Sequence, residues 1–386
     1  ALNSARSALY ISYTGASARD DTPQPPSVVV SELLEEIEAL TQDSSRSEKL
    51  TVRHPLQPFS ERYFDRSSGL FSYAEEMVAP EMISIQDTTP LFGSKLEAPQ
   101  PGDLSLDRLV DFLANPARVL LKGRLNISVE PGAALLSVRE PMVLDPRARR
   151  ALERDALVAQ LSGEEREPFI ERSRLGGTLP SGTPGVLAAQ QAWTRVTPVT
   201  EHLAPLLDHE SCQTVAIETV LEGWRLHGLL ENVRSNGQVL WSVDALSPWF
   251  MLRAWCAHLL LNTDSGAPSH ETHLVDAIGV IRFPEQEDAV ETLGGLIKVY
   301  REGLCRPVAF FPRSAWDYVS ATKNPLAKAQ RTWMGSEYAA AARESADPFF
   351  ALAFRDRLET ALDDEFEGLA AQVFGTPARL VKEARG

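Results

Sequence analysis

Glu231 and Asp244 are the carboxylates around which this sequence could build chemistry. They lie in LHGLLENVRSNGQVLWSVDALS, residues 226–247, where two apolar runs flank Asn236-Gly237. Asn-Gly tolerates the positive φ of primed turns, so the stretch reads as a β-hairpin with the turn at that pair. Two acids on neighbouring strands can hold a divalent ion such as Mg²⁺, as nucleases do. Such a site also wants a lysine close by, and this stretch has none. A competing reading makes both acids solvated strand ends.

Other reactive residues are scattered. His202 and His209 are seven apart, and His270 and His273 are three apart. Neither pair has the four close ligands of a zinc site. His258 falls in the apolar run PWFMLRAWCAHLLLN and reads as a core histidine. Cys212, Cys256 and Cys305 are odd in number and widely spaced, which fits neither a disulfide framework nor a zinc ribbon. No GxxxxGK[ST] phosphate loop occurs, so ATP hydrolysis is not expected. Arg118, Lys122 and Arg124 form one basic group, and Arg147, Arg149 and Arg150 another. Arg301, Arg306 and Arg313 flank the run CRPVAFF. Each group suits phosphate contact, against a competing reading as a solvated or salt-bridged face. Trp241 could pack in the core or stack on an unpaired base.

The elements that must position these residues follow from pattern. SALYISY (7–13) alternates like a strand, and SVVVSELLEEIEAL (27–40) has helical spacing with Ser27 as N-cap. Residues 41–104 hold little sustained period. From Ser105 onward, helices interrupted at Asn115-Pro116 are followed by more helix. Strands at QTVAIETVL, WRLHGLLENV and QVLWSVDAL come next, and then alternating helix and strand, with RPVAFFP as a strand. This order implies an α/β or α+β domain with a mixed sheet flanked by helices.

The formal net charge of −15 argues against a free-standing, non-specific nucleic-acid binder. It leaves room for one local basic face. No apolar run reaches the ~18 residues of a membrane span. A reducing cytoplasm is the expected location.

Several stretches, in order, resemble the RecC family of RecBCD (exodeoxyribonuclease V) subunits. They are ALYISYTGASARDDTPQPPSVVVSELLEEI, LANPARVLLKGRLNISV, GGTLPSGTPG, VYREGLCRPVAFFP and DPFFALAFRD. The likeness spans residues 8 to about 355 and is to the C-terminal third or so of such a subunit. It implies that residues 1–50 end a second helicase-like domain and that 51–104 are an irregular connector. Residues 105–386 would then be a restriction-endonuclease-like nuclease domain. RecB-like and RecD-like subunits are the implied partners, with DNA bound inside the complex and no membrane.

Two inherited sites come with that resemblance. Active helicase relatives carry a strand of the LYVALTRA type, whose arginine reaches the γ-phosphate of ATP. LYISYTGAS places Gly15 there, with Arg19 four residues later. An active nuclease of this fold carries Gly-x-x-Asp and then Asp-x-Lys. GLLE (228–231) matches the first with Glu231. Asp244 fits the second acid, which puts Leu246 at the lysine; aligning the turn glycines instead puts Val243 at the acid. The lysine is missing either way. The expectation is a non-catalytic, DNA-guiding part of a helicase–nuclease, with no cofactor and no catalysis by this chain alone. The alternative is a metal-dependent nuclease using Glu231 and Asp244.

Overall fold

A computed structural model describes residues 5–17, 22–74, 77, 91–93, 95–129, 142–207, 212–335 and 343–386. The chain divides into two compact units, residues 1–88 and 89–386.

In the first unit, helix α1 (Val28–Thr41) buries none of its residues, and short α2 (Arg46–Leu50) follows. Ser27 precedes α1 in extended conformation, but its side chain makes no cap hydrogen bond. Residues 7–13, expected as a strand, pair with nothing among the described residues. Alternation marks two faces but supplies no hydrogen-bonding neighbour, and a strand needs one. Gln24 N–H donates to Gly15 O at 2.9 Å, and Ser17 N–H to Thr22 O at 2.9 Å. Arg19 lies outside the described residues.

The second unit is a six-stranded mixed sheet between helices. Its early elements are β1 (Asp103–Ser105), α3 (Leu106–Ala114) and α4 (Pro116–Arg118), which widens into a π turn over Val119–Arg124. Then come α5 (Pro146–Leu161), α6 (Arg166–Leu175) and α7 (Thr183–Leu203). The sheet continues with β2 (Gln213–Leu221), β3 (Trp224–Arg234) and β4 (Gly237–Trp241). After α8 (Pro248–Leu261) come β5 (Thr272–Val275), β6 (Val280–Phe283), α9 (Ala289–Gly303), α10 (Pro312–Ser320), α11 (Pro325–Met334), α12 (Pro348–Ala353) and α13 (Asp364–Arg385). Ser105 caps α3 as its sequence implies, its Oγ accepting from Arg108 N–H at 3.2 Å.

Strand β3 organises the sheet. One of its edges pairs antiparallel with β2 over nearly its whole length. The other edge is shared: β1 pairs parallel at Arg225–His227, and β4 pairs antiparallel only at Val233 and Arg234. β4 then leaves β3 and runs parallel to β5, which pairs antiparallel with β6.

Alternation along β4 and β5 sends side chains to two cores. Leu240 and Leu274 face the larger one, built with α3, α8, α9, α10 and α13. Val239 and Val275 face the smaller one, under α5, α6 and α7. Helices therefore cover both faces at the β4–β5 end. On the β2–β3 end the outer face, with Val220, His227 and Leu229, is exposed. RPVAFFP, expected as a strand, is buried but unpaired as a strand. Ala309 N–H donates instead to Glu365 Oε2 at 3.4 Å, and Phe310 N–H to Val308 O at 2.8 Å. An apolar run reports burial, not pairing.

Candidate functional site

The hairpin that carries Glu231 forms, one residue out of the expected register. Arg234 pairs with Gly237, so Ser235 and Asn236 make the turn and Gly237 opens β4 with φ of 127°. A side chain at Gly237 would also meet Glu271 O at 2.8 Å, so glycine is needed twice over. Gly228, the glycine of GLLE, has a packing role: a Cβ there would lie 2.8 Å from Leu260 Cδ2 and 3.0 Å from Leu106 Cβ.

Glu231 sits at a β-bulge. Between Val215↔Leu230 and Gln213↔Val233 the β3 strand carries one extra residue, and Asn232 takes the left-handed φ of 59° that the bulge needs. The Glu231 side chain is exposed. Its backbone carbonyl accepts from Gln238 Nε2 at 3.1 Å, while the buried Gln238 Oε1 has no partner.

Asp244 belongs to a different assembly. It lies beyond the end of β4 and is 38% exposed, against the helices α5 and α7. Arg195 Nη2 donates to its Oδ1 at 2.6 Å. Arg149 Nη2 and Arg150 Nε stand 3.6 and 3.8 Å from its Oδ2. Behind them Glu153, only 2% exposed, lies 2.9 Å from Arg195 Nε and 3.8 Å from Arg149 Nε. These are ion-pair distances, yet Glu153 Oε1 and Arg149 Nε lack hydrogen bonds of good geometry. Burial raises the Glu153 carboxyl above its usual range, against the pull of Arg195 and Arg149. Three guanidiniums thus share two carboxylates. Among the described residues, no three of His, Cys, Asp and Glu group as metal ligands would. Leu246, at the lysine position, is half-buried against the larger core.

The other arginine candidates are divided. Arg118 and Lys122 are exposed on α4 and its π turn. Arg124 Nη2 donates to Glu97 O at 2.7 Å. Arg301 is exposed on the last turn of α9. Arg306 is committed: Nε meets Glu302 at 2.7 Å and Nη2 meets Glu365 at 2.5 Å, and these two carboxylates hold its charge more firmly than usual. Arg313 is exposed, and its backbone N–H donates to Glu344 Oε1 at 2.9 Å.

His202, His258 and His273 are bonded into the fold. His202 Nδ1 bonds Asp276 O at 3.1 Å, and His273 Nε2 bonds Asn236 O at 2.9 Å. His209 lies outside the described residues. His258 is fully buried. Nε2 bonds Pro284 O at 3.0 Å and so carries the proton; Nδ1 bonds the Thr272 hydroxyl at 2.9 Å. Burial pushes its pKa down to about 4.

Residues 101–323 match the family described as the RecC C-terminal domain. The chain belongs to the RecC family. Its sequence is similar to the RecBCD enzyme subunit RecC of Escherichia coli (strain K12), 28% identical over 332 residues, covering 82% of this chain and 29% of that protein. The RecBCD enzyme subunit RecC of Mycobacterium tuberculosis (strain CDC 1551 / Oshkosh) is 24% identical over 359 residues, covering 88% and 32%. That of Haemophilus influenzae (strain ATCC 51907 / DSM 11121 / KW20 / Rd) is 22% identical over 344 residues, covering 85% and 30%. The chain spans about three-tenths of the length of these RecC relatives, so the matched region is their domain and not the whole protein. Among the described residues, no helix is long and apolar enough to cross a membrane.

Two features of this RecC-family domain escaped the sequence reading. Glu344 caps α10 from a distant segment, accepting from Arg313 N–H, Ser314 N–H and Ser314 Oγ. Buried Asp276 accepts from Ile278 and Gly279 N–H and pairs with Arg385 at the end of α13. The Glu344 bonds and the Asp276–Arg385 pair span long separations and have no local signature. Glu153 did leave one, standing four residues after Arg149 on the arginine-rich α5.

Proposed function

We propose that this chain is the C-terminal, non-catalytic part of a RecC-like subunit in a helicase–nuclease that processes DNA ends for recombinational repair. Residues 105–386 act as a restriction-endonuclease-like fold without a working nuclease site. Residues 1–50 end a helicase-like domain in which Gly15 replaces the catalytic arginine, and 51–104 connect the two. The body docks RecB-like and RecD-like subunits and guides DNA through exposed cations such as Arg118, Lys122, Arg301 and Arg313.

One observation carries the loss of cleavage. Asp244, the acid a nuclease would give to a metal, is surrounded by Arg195, Arg149 and Arg150. A cation would have to compete with three fixed positive charges for one carboxylate. Leu246 supplies no base, and Glu231 sits on an exposed bulge. The donor set does not suit Mg²⁺.

The test is incubation of the chain with linear single- and double-stranded DNA in Mg²⁺ or Mn²⁺, alongside Leu246→Lys. Neither protein should cut, because restoring the lysine leaves Asp244 in its arginine cage. Cleavage by the native chain that vanishes in Glu231→Ala and Asp244→Ala establishes the nuclease alternative instead. Co-purification with RecB-like and RecD-like subunits checks the docking role, which fails if neither is retained.

A further inference from the structure

A cavity of ≈ 610 Å³ opens in the second unit where the starts of α8 and α10 meet. It is within the ~300–1,000 Å³ range of small-ligand sites. Its wall has an aromatic side, a cationic side and an amide.

Trp249, in the first turn of α8, is 50% exposed, although tryptophan is among the side chains most worth burying. Half of it is thus open to solvent at the cavity wall. Ser247 Oγ caps α8 by accepting from Phe250 N–H at 3.2 Å, which leaves the Trp249 N–H among the orphan donors of a 14-residue helix. Arg313 and Arg343 line the cavity and are exposed.

Two acids also line it, but both are turned to backbone donors. Glu344 is bonded to the first turn of α10, and Asp347 accepts from Phe349 and Phe350 N–H at 3.0 and 3.1 Å. Neither guanidinium forms an ion pair among the described residues, although the Glu344 carboxylate still attracts Arg313. Asn115 also lines the cavity, at only 7% exposure. Its Oδ1 is taken by Arg118 N–H at 2.8 Å, and its Nδ2 donor has no acceptor among the described residues. That amide N–H is free to donate to a polar group bound in the cavity.

The ligand this wall fits has a flat ring to lie on indole, an anion for two guanidiniums, and a carbonyl or ring acceptor for an amide. We propose that the cavity takes one nucleotide of an unpaired DNA strand, with its base on Trp249 and its phosphate on Arg313 and Arg343. This rests on the reading of the chain as a strand-guiding subunit and adds a defined contact to it. Stacking tolerates any base, so the contact tracks a strand without reading its sequence.

The full chain is titrated with a labelled thymidine oligonucleotide, with dTMP and inorganic phosphate as separate arms, over a range of salt. Trp249→Ala should weaken oligonucleotide binding at least about five-fold, the lower end of the loss of one stacked base. Trp249→Phe should retain most of it. Arg313→Ala and Arg343→Ala should each lower the log–log salt slope by about 0.7, one phosphate contact on a single strand. All three side chains are exposed, so the variants should keep the native unfolding transition. Strand binding with native affinity and salt slope in Trp249→Ala and in the double arginine variant overturns the proposal and leaves strand guiding intact. Binding of dTMP through Trp249 without binding of the strand overturns it in favour of a free-nucleotide pocket. If no probe binds, both the cavity site and the strand-guiding reading fall.

Discussion

His258 and Asp244 show how little a residue's type says about its task. Both are candidates for chemistry by type, and each is drawn into contacts of its own: Asp244 pairs with Arg195, and His258 is packed in the core. His258 spends both ring nitrogens inside the core. Its pKa, near 6.5 in the unfolded chain, is held at about 4 by burial. Above pH 6.5 the imidazole is neutral in both states and the folded state bears no penalty. As the pH falls from 6.5 towards 4, the unfolded chain binds a proton that the folded chain refuses, so stability drops. The loss from this one group reaches about 3 kcal/mol near pH 4. Urea unfolding of the native chain and His258→Gln between pH 7 and pH 4.5 should show a shallower pH slope in the variant. Equal slopes would assign the acid sensitivity elsewhere. Glu153 works in the opposite sense, because an acid whose pKa is raised on folding loses stability as pH rises through its range.

Between residue and fold stand the elements, and here the sequence was legible where a local rule was strong. The N-cap at Ser105, the break at Asn115-Pro116, the hairpin itself and α8 all follow from neighbours within a few positions. The reading slipped where the deciding partner was far away. Asn236-Gly237 marked a turn, but its register is set by Glu271 O lying against Gly237 and by the bulge at Asn232. RPVAFFP looked like a strand because burial on all sides and sheet pairing leave the same apolar run. GLLE was legible as a motif, and its glycine has a packing role that the motif did not announce. Gly228→Ala places a methyl against Leu260 and Leu106, both in the large core, and should cost about 1–3 kcal/mol. The cost should appear as a lowered urea midpoint with unchanged slope. An unaltered midpoint would mean that α8 and α3 can back away, and that the glycine is not there for close approach.

The whole molecule divides unevenly. In residues 89–386 a sheet is sandwiched by helices at one end and carries two hydrophobic cores. The mixed α/β class was legible from element order, because helix and strand periods alternate along this part of the chain. The uneven covering of the sheet was not, because it depends on which edge of β3 each neighbour takes. Residues 1–88 present the contrary case. Among their described residues Leu70 is the one buried apolar side chain, while Val28, Val29, Leu40 and Tyr10 are all more than 70% exposed. An amphipathic helix gains most of its stability from burying its apolar face, and α1 buries no residue at all. A segment of this size without a core cannot offset the entropy of ordering its backbone. Residues 89–386 expressed alone should therefore unfold in one cooperative transition close to that of the full chain. Residues 1–88 alone should show no transition by near-ultraviolet circular dichroism. A cooperative melt of the short piece would show that its exposed apolar residues find partners within it, and would remove the physical reason for treating it as the end of a larger helicase-like body.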